Sequence, residues 1–224
     1  MLARPVFQAF DPQRAVLIYR RNLPHWRQDG AMYFVTFRLA DSVPASVQNR
    51  WREQKRLWLA ARGIVYDGEG GNWRSAFARL TPREQFRFKR FFTRPVEACL
   101  DRGLGACWLG RGESGRMVCE ELSRGDRADY HVADFVVMPN HVHALLCLAE
   151  GHCLETTLGC IKGRSARFCN LELQRFGAFW QADSYDHIVR TEKELNAYRQ
   201  YIARNAVQAG LAASASRYRR ADWL

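Results

Sequence analysis

Residues 136–146 read Val-Val-Met-Pro-Asn-His-Val-His-Ala-Leu-Leu. Pro139 and Asn140 interrupt an apolar run, which predicts two β-strands joined by a tight turn, with the second strand starting at the histidines. Side chains of a strand alternate between its faces, so His141 and His143 are expected on one face, at a sheet edge or end that a substrate can reach. Two neighbouring imidazoles can bind one divalent metal ion. The alternative is a pair of packed or solvated histidines without a ligand.

The segments around this hairpin predict one more central strand and several helices. Residues 32–39 are rich in aromatic and β-branched residues, which is typical of a strand. Apolar periodicity predicts helices over residues 45–62, 117–122 and 154–173. Thr81 and Thr191 each precede a glutamate by three residues, the capping-box pattern of a helix start. The first of these helices is expected to be interrupted at Arg94–Pro95, and the second to end near Gly210.

Length and composition indicate one intracellular domain of ordinary size, or at most a domain and a half. The chain has 224 residues, with 34 Lys and Arg against 23 Asp and Glu, a net charge of +11. The excess is spread along the chain, and no amphipathic anchor or long apolar run accompanies it. Nucleic acid is therefore a likelier partner than a membrane. Seven cysteines without a Cys-x-x-Cys pair or a signal peptide indicate reduced thiols and a cytoplasmic, nucleoid-associated protein.

Three segments supply candidate DNA contacts. Residues 1–30 are basic and contain three prolines, which predicts an irregular arm that either lies on DNA or is merely a solvated terminus. Residues 86–92 interleave phenylalanines with basic residues, a pattern that suits either base stacking or a core-packing helix with a solvated basic face. Lys162, Arg164 and Arg167 follow the histidine strand directly and are candidates for phosphate contacts.

Tyr201 and Asn205 lie four residues apart in the last predicted helix, so both project from the same face. An asparagine oxygen can complete a metal site with two histidines, and a tyrosine one turn away can reach the group that the metal holds. Such a phenol can attack a phosphodiester and become covalently linked to it. Alternatively, Tyr201 is simply a packed helix aromatic.

Several blocks of the sequence resemble the REP-associated tyrosine transposases, relatives of the single-tyrosine HUH transposases of small insertion sequences. The resemblance extends from about Arg21 to Leu211. The matching blocks are residues 33–39, 136–143, 162–167, 179–181, 186–190 and 201–211.

The resemblance implies an α+β fold, with a ferredoxin-like (RRM-like) antiparallel sheet, helices packed on one face, helical insertions and a basic N-terminal arm. It implies an arm over residues 1–30, a catalytic domain over 31–211 with an insertion around 64–125, and a tail over 212–224. It further implies a Mg²⁺- or Mn²⁺-dependent nuclease that cuts and rejoins single-stranded DNA beside hairpins of palindromic repeats, through a 5′-phosphotyrosine.

Carried over residue by residue, the resemblance makes His141, His143 and Asn205 metal ligands and Tyr201 the nucleophile. Arg190 joins the DNA-contact candidates, although Asp186, His187 and Arg190 could equally cap or order a loop. The chain departs from the family where proline usually follows the asparagine, because it has Ala206 there. Without proline the helix can continue and change the orientation of Asn205.

Two other functions fit the same residues. A ferredoxin-like sheet with exposed aromatics and a basic surface can bind single strands without cutting them. A metal-dependent hydrolase of another phosphodiester would use the histidines and leave Tyr201 a structural role. Loss of a covalent protein–DNA adduct in Tyr201→Phe would separate the transposase from both.

Overall fold

The computed structural model describes residues 5, 7–20, 24–68, 71–214 and 216–224, except for the side chains of residues 17–20, 24–26, 89–90 and 93–97. The remaining residues of the predicted arm over 1–30 lie outside the described residues. Arg21, from which the resemblance extends, is one of them. The strands are β1 (Leu17–Arg20), β2 (Pro24–Arg27), β3 (Met32–Arg38), β4 (Tyr130–Val137), β5 (His141–Leu148), β6 (Tyr185–Ile188) and β7 (Tyr218–Arg219). The α-helices are α1 (Ala45–Ala60), α2 (Trp73–Phe77), α3 (Pro82–Asp101), α4 (Ser114–Arg124), α5 (Leu154–Glu172) and α6 (Glu192–Gln208), with a 3₁₀ turn at Trp108–Gly110.

A five-stranded antiparallel sheet in the order β6-β3-β5-β4-β7 forms the centre of the fold. The predicted hairpin is confirmed: β4 and β5 are joined by a turn closed by a hydrogen bond from Met138 N to His141 O, 2.9 Å long. The predicted first strand is β3, which pairs with β5 in the register Thr36↔His143 and Arg38↔His141. The histidines therefore start the central strand of the sheet.

Helices cover both faces of this sheet. On one face, α4 and α5 pack with Val35, Phe37 and the alternate residues of β4 and β5 in the larger hydrophobic core. On the other face, α6 and the C-terminal residues pack against Phe34 and Leu145. The expected α+β architecture is confirmed. The helices α4 and α5 share one face as expected, whereas α6 lies on the opposite face, and it is this placement that brings α6 to the histidines.

The helices α1, α2 and α3 build a smaller core of their own around Leu59, Trp73 and Phe88. The capping box at Thr81 is confirmed, because its side chain accepts from Glu84 N while the Glu84 side chain accepts from Thr81 N. The expected interruption at Pro95 is wrong, since α3 continues to Asp101. Burial of Cys99 and Leu100 holds its last turn in place, and tertiary packing of this kind supplies most helix stability in proteins.

The prediction of an irregular arm is wrong for β1 and β2, which form an antiparallel hairpin. Its register pairs Ile18 with Trp26. Pro24 is the first residue of β2, a position where a strand tolerates the missing N–H. Arg27 ends the hairpin in ion pairs with Glu155 and Asp186.

All seven cysteines are free thiols. Across the described ranges, no helix combines the length and the apolar character needed to cross a membrane.

Candidate active site

His141 and His143 face each other at the start of β5, with their Nε2 atoms 2.9 Å apart. The pair lies at a strand end, as expected, but on the central strand and not at an edge of the sheet. Both rings are buried, with exposed fractions of 0% and 3%. The sequence analysis expected a more open pair. The rings are covered because residues of α6 pack over this face of the sheet.

The opposite nitrogen of each ring is held by a neighbouring side chain. His141 Nδ1 lies 2.7 Å from Asn140 Oδ1, and His143 Nδ1 lies 2.7 Å from Thr36 Oγ1. The Asn140 amide is oriented by its own hydrogen bond to Leu104 O, so its oxygen faces His141 and that ring donates from Nδ1. His141 therefore presents the lone pair of Nε2. Partners of this kind on the second ring nitrogen are usual for histidines that bind metals.

Burial keeps both imidazoles neutral. It lowers the pKa of His141 to about 3, and burial together with the neighbouring His141 lowers the pKa of His143 well below its ordinary value. A neutral imidazole is the form that binds a metal ion, whereas a charged one has no free lone pair. Both rings are therefore uncharged at neutral pH, which is the charge state that metal binding requires.

Helix α6 begins and ends where the sequence predicts. Thr191 Oγ1 accepts from Glu194 N at 3.1 Å, and Gly210 follows the last turn with a φ of +68°, a conformation that favours glycine. Ala206 is fully buried and α6 continues past it to Gln208, as expected for a helix without proline at that position.

Tyr201 projects from α6 toward the histidines. Its ring centroid lies 5.0 Å from that of His143, at an interplanar angle of 68°. Phe34 on β3 contacts both rings, with centroid distances of 5.5 Å to His143 and 6.0 Å to Tyr201. The helix thus brings a phenol to the face of the sheet that carries the imidazoles, as the sequence predicts.

Asn205 is buried one helical turn beyond Tyr201, with an exposed fraction of 3%. Its Nδ2 donates to Tyr201 O at 2.9 Å, while its Oδ1 is buried without any hydrogen-bond partner. A buried amide oxygen in this state is costly, so an unpaired one calls for a ligand. Two neutral imidazole nitrogens and a spare amide oxygen fit a divalent cation. Among the described residues, no cluster of three or more His, Cys, Asp and Glu side chains is arranged for metal binding.

Two of the four predicted DNA contacts are held by partners within the chain. Lys162 Nζ donates to Gln181 O and Ala182 O, each at 2.7 Å. Arg164 Nε donates to the buried carboxylate of Glu121 at 2.6 Å. These two cations order loops and helices of the protein itself.

The other two predicted contacts are on the surface. Arg167 is exposed on α5 and Arg190 is exposed at the start of the segment that leads into α6. The backbone N of Arg190 donates to Glu194 Oε2 at 2.8 Å, and His187 Nε2 lies 3.3 Å from the same carboxylate. This arrangement orders the loop before α6, the alternative that the sequence analysis left open for His187.

The sequence analysis missed two residues that orient the histidines. Asn140 was interpreted only as a turn residue, although its position next to His141 was a usable signal. Thr36 lies 107 positions from His143, and only the β3–β5 register places them together. No local pattern reveals such a pairing.

Comparison with known proteins found one family model and a similar solved structure. Residues 116–205 match the family model described as "Transposase IS200 like". A solved structure of a REP-associated tyrosine transposase bound to a REP hairpin is similar over 86% of this chain and 74% of its own, at 16% identity and a TM-score of 0.44. No curated protein matches the chain. The matched residues 116–205 include His141, His143, Tyr201 and Asn205, so the similarity to the IS200-like transposase model covers all four of these candidate site residues.

Proposed function

We propose that this chain is a metal-dependent endonuclease and strand transferase that nicks and rejoins single-stranded DNA beside hairpins of palindromic repeats. The observation that carries the proposal is the direct contact between the rings of Tyr201 and His143. The Nε2 atom of His143 in turn lies 2.9 Å from the Nε2 atom of His141. The family match over residues 116–205 supports the reaction class, and the net charge of +11 supports a polyanionic substrate.

The chemistry assigned to Tyr201 is an in-line displacement at phosphorus. The phenol loses its proton to water, and its oxygen forms a bond to the scissile phosphorus as the bond to the 3′-oxygen breaks. The leaving oxygen takes up a proton, which gives a free 3′-hydroxyl and a 5′-phosphate linked to Tyr201. Attack by another 3′-hydroxyl reverses the step and joins strands.

His141, His143 and Asn205 would hold a Mg²⁺ or Mn²⁺ ion. When bound, the ion supplies a positive charge that polarises the phosphate and stabilises the charge that develops on it. The chain prepares for this role by keeping both imidazoles neutral and by orienting them through Asn140 and Thr36.

Tyr198 is a second tyrosine close to this site, and its surroundings favour a packing role. Its ring is stacked on Phe34 at a centroid distance of 4.2 Å, and burial raises the pKa of its hydroxyl. A tyrosine whose phenolate is disfavoured is a poor nucleophile. Tyr198 therefore offers a matched control for Tyr201 on the same helix.

The test compares Tyr201→Phe, Tyr198→Phe and His141→Ala on labelled hairpin oligonucleotides with single-stranded flanks. Wild type should cut the flank when Mg²⁺ or Mn²⁺ is present and leave a protein–DNA adduct on a denaturing gel. Tyr201→Phe should lose the adduct completely and keep hairpin binding, because it lacks only the attacking oxygen. Tyr198→Phe should retain most of the activity.

His141→Ala should lose cleavage together with its response to the divalent ion. Undiminished adduct in Tyr201→Phe would contradict the nucleophile assignment, because another residue would then form the bond to the DNA. Hairpin binding by wild type without cleavage under either ion would instead identify a non-cleaving single-strand-binding module.

A further inference from the structure

A cleft of about 780 Å³ lies between α1, α5 and residues 177–186, outside the candidate active site. Its volume is in the range of ligand-binding pockets, roughly 300–1,000 Å³. Cationic side chains outnumber carboxylates in its lining: Arg27, Arg38, Arg52, Lys55 and Lys162 against Glu155, Asp183 and Asp186. We call it the α1–α5 cleft.

Arg38 joins this cleft to the candidate active site. It is the register partner of His141 across β3 and β5, and residues directly opposite in an antiparallel pair share a face of the sheet. Tyr185 makes a second connection, because it lines the cleft and is the register partner of Thr36, which bonds to His143. Two residues of the cleft lining, Arg38 and Tyr185, are therefore cross-strand neighbours of His141 and Thr36.

The guanidinium of Arg38 is half-buried and has no acidic counter-charge. It donates to Ser42 Oγ at 3.0 Å, and no carboxylate in the described part of the chain pairs with it. Burial lowers the pKa of Arg38, as expected for a cation in such surroundings. A buried charge without a counter-ion is costly, so its position favours an anion from outside the protein. Arginine in particular binds phosphate with two parallel hydrogen bonds.

The walls of the α1–α5 cleft suit the remainder of a nucleotide chain. Trp51 on α1 and Phe92 on α3 line it, and aromatic faces of this kind stack on unpaired bases. On the α5 side, Gly159 and Gly163 leave open space, because a Cβ atom added at either would meet nothing within 4 Å. The cleft thus combines aromatic faces for bases, cations for phosphates and open space for a nucleotide backbone. A small acidic metabolite would not need all three.

We propose that the α1–α5 cleft binds the single strand that flanks the scissile phosphate, with Arg38 contacting a phosphate of that strand next to His141. This inference rests on the proposed function for the placement of the scissile bond. It adds a substrate subsite built by α1, α5 and β3, and it gives helix α1 a part in substrate binding.

The test measures equilibrium binding in a Tyr201→Phe background, so that no DNA is cut. The probes are one labelled hairpin without a flank and the same hairpin with a single-stranded flank on either side. We expect the flank to strengthen binding about tenfold or more in this background. Arg38→Gln should remove most of that gain, lower the salt dependence of flanked-hairpin binding by about one phosphate contact, and leave binding of the unflanked hairpin unchanged.

A second variant keeps every charge and does not depend on the stability of β3. Gly159→Leu should fold at least as well as wild type, since leucine is the better helix former and space is open at this position. It should nevertheless block the cleft and abolish the gain from the flank. Cys160→Leu is the matched control, because Cys160 is exposed on the same helix outside the cleft lining, and it should bind like the background protein.

Equal binding of flanked and unflanked hairpins by the background protein would overturn the inference, as would an unchanged gain in both Arg38→Gln and Gly159→Leu. These outcomes are independent of the cleavage test. If wild type forms the covalent adduct while both cleft variants bind the flanked hairpin like the background protein, the role of the cleft is refuted and the nuclease proposal stands. If binding of the flank requires Arg38 but wild type never cuts the DNA, the nuclease proposal is refuted and the role of the cleft stands.

Discussion

The side chain of Asn205 is satisfied on one atom and not on the other. Its nitrogen bonds to the backbone of its own helix, whereas its oxygen is buried with no partner. In a purely structural position, selection for stability would favour an apolar residue here, because replacing an unpaired buried polar group removes its desolvation cost. We therefore propose that this oxygen is kept for a ligand.

Asn205→Leu tests this explanation through stability, without a cleavage assay. In the absence of divalent ions, the variant should be as stable as wild type or up to about 1–3 kcal/mol more stable, because a similar volume of apolar side chain replaces the unpaired amide. Addition of Mn²⁺ should raise the unfolding midpoint of wild type and have much less effect on the variant, since binding to the native state alone stabilises it.

Gln208→Leu is the control for that comparison, since Gln208 is exposed at the end of the same helix. It should respond to Mn²⁺ like wild type. Equal stabilisation of wild type and Asn205→Leu by Mn²⁺ would remove Asn205 from the metal site.

At this scale the sequence predicted what depends on local spacing. His141 and His143 are two positions apart on a strand, which places them on the same face. Tyr201 and Asn205 are four positions apart on a helix, which does the same for them. The orienting role of Thr36 depends on the register between β3 and β5. The lack of a carboxylate partner for Arg38 depends on where acidic residues from other segments lie. Neither has a local signal.

Among the secondary-structure elements, α4 and α5 are tied together by Glu121. Its carboxylate is 1% exposed and accepts from both Arg124 on α4 and Arg164 on α5. Burial alone would raise the pKa of Glu121, but the hydrogen bonds to the two arginines outweigh it and hold the pKa below the ordinary value of 4.5. Arg164 thus links α5 to α4 through Glu121.

The sign of this shift predicts a pH dependence. A carboxylate whose folded pKa is depressed stabilises the protein above its unfolded pKa and loses that contribution as the pH falls through the folded value. Glu121→Gln should therefore cost about 1–3 kcal/mol in urea unfolding at pH 7, and the gap to wild type should shrink below about pH 4.5.

Glu120→Gln is the matched control for Glu121→Gln, because Glu120 is the exposed neighbour that pairs with Arg116. It should change stability by well under 1 kcal/mol at either pH. A Glu121→Gln variant as stable as wild type at pH 7, or a gap that widens on acidification, would contradict the assigned role.

The elements that the sequence predicted well carry their own end signals. Thr81 and Thr191 cap α3 and α6, and Gly210 follows α6, each through contacts within a few residues. Pro95 misled because buried Cys99 and Leu100 hold the last turn of α3 in place. The β1–β2 hairpin was not predicted because Pro24 and the basic residues of this segment obscure two short strands.

In the whole molecule, the sheet brings together segments that are far apart in sequence. Thr36 comes from β3, the histidines from β5 and Tyr201 from α6, which packs on the sheet together with the C-terminal residues. Arg199 of α6 strengthens this packing, since it bonds to buried Asp134 on β4 and to the carbonyls of Ala221 and Leu224. The position of the phenol is thus set by the packing of an entire face.

The order of motifs along the chain was enough to predict this convergence, because a resemblance that spans several blocks implies their arrangement. The α1–α5 cleft could not be predicted in the same way. Residues of α1, α3 and α5 line it together, and no local sequence pattern reveals that arrangement.

The central claim is that Tyr201 attacks the phosphate held beside the two histidines. Its most direct test is to incubate wild type with Mn²⁺ and a flanked hairpin, digest protein and DNA, and locate the remaining nucleotide by peptide mass spectrometry. The account predicts a 5′-phosphonucleotide on Tyr201 and none on Tyr198. A nucleotide on Tyr198 or another residue, or cleaved DNA with no nucleotide on the protein, would contradict it.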